Sequence, residues 1–151
     1  KDEIPKIENQ IEAYQKMRKI TSLDTVPRII FDQQLYRQKL DSLSDINALR
    51  KQIDKEYLDM EPDSEEPVWG QTIHHTTHPI YLHNYLMGDV TCEILKSAFC
   101  EKFAAGRVLD KPLEFGAFLK SEVIEPSGMY AYAELVKRFS GKDFSLEYLM
   151  E

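Results

Sequence analysis

Imidazole side chains are concentrated in one short stretch of this sequence. All four histidines lie within ten consecutive positions: His74, His75, His78 and His83. Imidazole titrates near neutral pH, binds metal ions, and donates or accepts protons in catalysis. The cluster therefore predicts a functional site in residues 74–83 that either holds a metal ion or provides acid, base and hydrogen-bonding groups.

The metal interpretation depends on the spacing of His74 and His78. They are four positions apart, like the two zinc-binding histidines of an H-E-x-x-H helix. However, His75 stands where that motif carries its basic glutamate, and Pro79 disfavours helical backbone at His78. The spacing thus favours polar histidines beside the start of a helix over a zinc site formed by this cluster.

Two tyrosines strengthen the second interpretation. Tyr81 and Tyr85 are four residues apart, so we expect them to share one face of a helix. His78 precedes Tyr81 by three residues, and His75 lies just upstream. A histidine and two tyrosines near a helix N-terminus can donate hydrogen bonds to a developing oxyanion. Aromatic residues at this spacing also pack in cores, so spacing alone leaves both roles open.

Helical periodicity predicts the elements that would position these residues. Apolar residues recur every three or four positions from 3 to 22, after which residues 23–27 predict a break and a second helix follows. A third helix is expected after a capping segment at 42–45, and then an acidic loop at 61–67. Pro79 opens the longest apolar segment, which predicts a central helix to about residue 105, with Gly88 in close backbone contact.

The C-terminal third predicts two shorter helices, at about 113–123 and 131–139, with Gly141 as a C-cap. We find no sequence repeat and no alternating strand pattern. The expected architecture is therefore all-α, a bundle of about six helices in one domain that spans residues 1–151. A hydrophobic fraction of 42% is enough to form a real core.

Charge and cysteine content limit the partners and the compartment. The net charge is −7, without a basic stripe, which argues against nucleic-acid or anionic-membrane binding. The sequence has no membrane-spanning apolar run and no signal-peptide pattern. Cys92 and Cys100 would lie about 12 Å apart on one helix, too far for a disulfide. Free cysteines indicate a reducing compartment, and we expect the cytoplasm.

The stretch from 75 to 88 resembles the late active-site segment of oligoendopeptidase F and thimet oligopeptidase relatives. Five residues match that family pattern in order and spacing: His75, Pro79, Tyr81, Tyr85 and Gly88. Residues 29–36 resemble the helix that follows the third zinc ligand, and residues 118–120 and 134–143 resemble the C-terminal helices. Thr77 and His83 stand where relatives often carry aromatic residues, and no H-E-x-x-H motif occurs in residues 1–151.

The resemblance implies the C-terminal part of a zinc metalloendopeptidase catalytic domain, a fragment of a larger α-helical fold. Its Zn²⁺ ligands would lie before Lys1, and none is expected in this chain. His75, Tyr81 and Tyr85 would be the catalytic donors to the tetrahedral intermediate, and His78 would contact the oligopeptide substrate. The isolated chain is expected to be inactive and to self-associate through apolar faces that the parent enzyme covers.

Two other functions are compatible with the sequence. The first is a non-enzymatic all-α interaction module, which would use the acidic loop or the first helix to bind a partner. The second is a metal sensor built on the histidine cluster, which would require tight metal binding by this chain alone. An H-E-x-x-H motif upstream of Lys1 would favour the peptidase over both.

Overall fold

A computed structural model describes residues 4–60 and 66–149 of the chain. Six α-helices and several short helical turns occur in these residues, and no strand does, which confirms the all-α prediction. The helices are α1 (Ile4–Arg37), α2 (Leu43–Leu58), α3 (His74–Thr77), α4 (His83–Phe103), α5 (Pro112–Leu119) and α6 (Tyr132–Ser140). The predicted helix start at Glu3 and most of the predicted acidic loop lie outside the described residues.

The chain divides into two compact units, residues 1–86 and 87–151. The core of the first unit lies between α1 and α2 and is built on Phe31, Leu49 and Ile53. Ser42 caps α2 as predicted, since its side chain accepts a hydrogen bond from the backbone N–H of Asp45 at 3.2 Å. This cap fixes where α2 starts and thereby how its apolar face meets α1.

The predicted break at residues 23–27 is wrong, because α1 continues through Pro27 to Arg37. Proline in a helix interior lacks the N–H that would bond the carbonyl four residues earlier. Pro27 is buried, and so are Ile29 and Phe31 in the following turn. We attribute the continuity to this burial, which offsets the lost hydrogen bond.

The predicted helix start at Pro79 is also wrong, since α4 begins at His83. Between them Ile80 adopts a positive φ of 57°, which a helix cannot contain and which β-branched residues rarely adopt. Gly88 was expected to permit a close backbone contact, but a Cβ built there would meet nothing within 4 Å. The buried residues of α4 follow one stripe instead of covering all its faces: Val90, Ile94, Leu95 and Phe99.

The second unit is organised around phenylalanine rings on α4 and α5. Phe99 stacks on Phe103 with ring centroids 4.7 Å apart and meets Phe115 edge-on at 5.1 Å. The predicted helix at 113–123 corresponds to α5 and a π-helical turn that follows it, Lys120–Ile124. The predicted helix at 131–139 corresponds to α6, which ends at Ser140 and is followed by Gly141 with φ 72°, the left-handed C-cap expected for glycine.

Within residues 4–60 and 66–149, every helix is too short or too polar to traverse a lipid bilayer.

Candidate functional site

Four polar aromatic rings lie against one another in the first unit and are referred to here as the ring cluster: His74, His78, Tyr81 and Tyr85. His74 stacks on Tyr81, with a centroid distance of 6.0 Å and an interplanar angle of 11°. The same ring meets Tyr85 edge-on at 5.4 Å. His74 is therefore the member of the cluster that contacts both tyrosines.

Two short backbone features position the cluster. α3 is a single turn in which the carbonyl of Ile73 accepts hydrogen bonds from the N–H and the hydroxyl of Thr77, both at 2.8 Å. At the start of α4, the carbonyl of Tyr81 accepts from the N–H and the side chain of Asn84, both at 3.0 Å. The left-handed Ile80 connects these turns, and such strained residues persist only where the surrounding structure holds them.

The ring cluster presents hydrogen-bonding groups at the surface. Nε2 of His74 lies 3.1 Å from the hydroxyl of Tyr85, and Nδ1 of His78 lies 2.7 Å from the hydroxyl of Thr77. Tyr81 and Tyr85 are 45% and 52% exposed. When His74 carries its proton on Nε2, it donates to the Tyr85 oxygen, and the phenol O–H is then free to donate to a ligand.

His75 lies in the core of the first unit and is only 1% exposed. Its Nδ1 is 3.3 Å from Oδ1 of Asp32, which is equally buried, and its ring meets Phe31 edge-on at 5.0 Å. The hydroxyl of Tyr36 donates to the backbone carbonyl of His75 at 2.5 Å. These contacts tie α3 to α1 and thereby fix the position of His74.

Burial lowers the pKa of His75, although the hydrogen bond to Asp32 and the charge of its carboxylate act in the opposite direction. The ring is therefore neutral at neutral pH. In that state Nδ1–H donates to Asp32, which satisfies a carboxylate that would be costly to bury without a partner.

The sequence grouped His75 with Tyr81 and Tyr85, and the structure places His74 there instead. Tyr81, Tyr85 and His78 come together, but Tyr81 lies in the turn before α4 and not on the helix face expected for it. The ring of His75 points into the core. Adjacent residues of a helical turn point about 100° apart, so only one of the two histidines can face the tyrosines. The i, i+4 spacing of His74 and His78 was the signal that they share a surface.

The residues that the structure describes lack the ligand set of a zinc site. Nowhere in residues 4–60 and 66–149 do three or more histidine, cysteine, aspartate or glutamate side chains converge as a metal ion requires. Zinc sites in proteins use three or four such ligands.

Comparison with protein-family models, with curated proteins and with solved structures finds no match to this chain. The chemistry of the ring cluster, and of the Asp32–His75 pair that supports it, is therefore the observation that bears on function.

Proposed function

We propose that the chain is part of a zinc metalloendopeptidase that hydrolyses oligopeptides, and that the ring cluster is the wall that binds the substrate and its tetrahedral intermediate. The observation that carries the proposal is the pairing of His74 with the half-exposed Tyr85, 3.1 Å apart and beside Tyr81. The family-like order of His75, Pro79, Tyr81, Tyr85 and Gly88 supports it. The zinc ion and its ligands would belong to other residues of the parent protein.

Each ring has a separate task in this proposal. Tyr85 donates its phenol O–H to the oxygen on which negative charge develops, and His74 holds that phenol in place. Tyr81 provides a second donor, and the exposed His78 contacts the peptide further along. His75, which the sequence predicted as a donor, becomes a positioning residue because its ring is buried against Asp32. Preoriented donors of this kind stabilise the transition state more than the bound substrate.

The proposal also concerns the cellular compartment. Cys92 and Cys100 are both free thiols on α4. Free, partly buried cysteines are typical of proteins from reducing compartments. We therefore place the enzyme in the cytoplasm.

Steady-state kinetics of the full-length protein that contains this chain test the proposal. Tyr85→Phe removes one donor and almost no volume, so kcat on a fluorogenic oligopeptide should fall by about 10²-fold with KM and zinc content unchanged. His74→Gln should also lower kcat. Tyr57→Phe is the matched control, since Tyr57 is similarly exposed, at 48%, but lies on α2. Wild-type turnover in both Tyr85→Phe and His74→Gln would contradict the proposal.

A second candidate function, a non-enzymatic interaction module, is favoured by a different observation. Tyr14, Met17 and Ile20 on α1 are 59%, 58% and 69% exposed. Exposed apolar groups of this kind mark surfaces that bind other proteins. A full-length protein that binds no zinc and cleaves no oligopeptide would favour this function over the peptidase.

A further inference from the structure

A cavity of about 530 Å³ opens in the first unit, away from the ring cluster. Its walls come from α1, from α2 and from the short 3₁₀ turn Val68–Gln71 with its flanking residues. Pockets that hold small ligands typically measure about 300–1,000 Å³. The cavity is therefore large enough for a ligand of one or two amino-acid residues.

The cavity is locally cationic in an otherwise acidic chain. Among the residues that the structure describes, its walls contain three cations, Arg28, Arg50 and Lys51, and two carboxylates, Asp54 and Glu66, an excess of one positive charge. The whole chain has a net charge of −7. A single negative charge on a ligand would balance the walls, whereas a dianion would exceed them and would be repelled by both carboxylates.

The arginines of the cavity differ in how tightly they are held. Arg50 is fixed by Asp54, with its Nε 2.7 Å from Oδ2 and its Nη2 2.6 Å from Oδ1, and its guanidinium lies over the ring of Phe31. Arg28 pairs with Asp24 at 3.8 Å, and both side chains are about half exposed, at 53% and 50%. Exposed pairs of that kind are weak, so Arg28 can turn to a ligand at little cost.

The wall from residues 66–72 carries a rigid apolar patch, Val68 and Trp69, beside polar lining residues. The Nε1–H of Trp69 donates to the side-chain oxygen of Asn47 at 2.8 Å, and its indole packs on Phe31 with centroids 5.8 Å apart. These two contacts hold the indole still. Val68 beside it is 56% exposed. A ligand that unites one anionic group with an apolar body would match both walls.

We propose that this cavity binds a small organic monocarboxylate with an apolar side chain, such as an N-blocked apolar amino acid or the free C-terminus of a peptide. Arg28 is the principal ligand of the carboxylate, Lys51 adds positive charge, and the apolar body lies against Trp69 and Val68. The site does not depend on the peptidase proposal, because none of its residues belongs to the ring cluster.

Trp69 is the single tryptophan of the chain, so its fluorescence reports occupancy of the cavity directly. The full chain is titrated with N-acetyl-leucine and with N-acetyl-leucinamide, which match in size and differ in charge. The acid should give a saturable change in Trp69 fluorescence. The amide should bind at least about tenfold more weakly, because a charged hydrogen bond is lost. Equal responses to the two compounds would overturn the proposal.

Variants and further probes complete the test. Arg28→Gln should lower the affinity for N-acetyl-leucine at least about tenfold, whereas Arg37→Gln, a control on the same helix outside the cavity, should not. Unchanged binding by Arg28→Gln would overturn the assignment, as would tighter binding of inorganic phosphate than of the acid. If N-acetyl-alanyl-leucine binds more tightly than N-acetyl-leucine, the site is one for peptide C-termini. If the two bind equally, the site is one for single-residue acids.

Discussion

At the scale of single residues, His74 and His75 show how neighbours in one turn take different roles. His74 contacts Tyr81 and Tyr85 at the surface, whereas His75 pairs with the buried carboxylate of Asp32. A buried polar pair of this kind does little for net stability but leaves few alternative arrangements for the segment that carries it. The pair thus decides which of the two rings faces the tyrosines.

The depressed pKa of His75 predicts a pH-dependent stability. Because the pKa is lowered in the folded state, the unfolded chain binds the proton more readily, and the free energy of unfolding should fall as pH drops below about 6.5. The stability is fully present above that pH. Urea unfolding at a series of pH values should show the decline in wild type and a flatter profile in His75→Gln.

The control for this experiment is a histidine outside the group of residues that influence the pKa of His75. Asp32, Arg50 and His74 all influence its pKa, so the pH profile reports the neighbourhood of this ring. His83→Gln removes a histidine from the start of α4 instead and should keep the wild-type slope. A His75→Gln profile that parallels wild type from neutral pH down to about pH 5.5 would mean that other groups control acid stability.

At the scale of helices, Pro27 makes α1 less stable than its length suggests. Proline in a helix interior is about 3 kcal/mol less favourable than alanine. Replacing it also increases the entropy of the unfolded chain, which lowers the free energy of unfolding by up to about 1 kcal/mol. Alanine also leaves two buried ring CH2 groups of Pro27 unreplaced, at about 0.8 kcal/mol each. Pro27→Ala should therefore raise the free energy of unfolding by no more than about 1 kcal/mol and increase helicity. Circular dichroism with urea denaturation measures both.

Pro112→Ala is the matched control for that experiment. Pro112 opens α5, where its fixed φ suits the first helical position and its missing N–H has no helical partner in any case. The substitution should leave stability nearly unchanged or slightly lower. If Pro27→Ala behaved in the same way, α1 would consist of two helices that meet at residues 23–27.

The outcomes for the helices show which signals a single sequence carries. The capping segment at 42–45 and the Gly141 cap were predicted, because capping depends on local side-chain and backbone chemistry. The effects of Pro27 and Pro79 were not predicted correctly. Whether a proline interrupts a helix depends on the burial of its neighbours, and the left-handed Ile80 that delays α4 has no composition signal.

The sequence also predicted only part of the candidate site. The proximity of His78, Tyr81 and Tyr85 was predicted from helical spacing, and their rings do meet. However, Tyr81 precedes α4, so a turn and not a shared helix face brings it to Tyr85. The choice between His74 and His75 depends on Asp32, which lies 43 positions from His75 in the sequence. No periodicity within the histidine segment contains that information.

At the scale of the whole molecule, net charge and apolar exposure act in opposite directions. A charge of −7 keeps copies of the chain apart by mutual repulsion. On α1, the exposed Tyr14, Met17 and Ile20 recur at intervals of three residues, so their side chains lie near one another along the helix. Such a surface favours association between copies once the repulsion is screened.

We therefore expect the 151-residue chain to self-associate and the association to strengthen with salt. Apolar contacts survive screening, whereas association through ion pairs would weaken. Met17→Lys combined with Ile20→Lys should yield a monomer, and lysine preserves the helix because its propensity is high. Leu113→Lys is the control, because Leu113 is 85% exposed but lies on α5 in the second unit. Light scattering at several concentrations and salt levels measures the outcome, and a wild-type chain that stays monomeric throughout would show that this face of α1 does not bind a second copy.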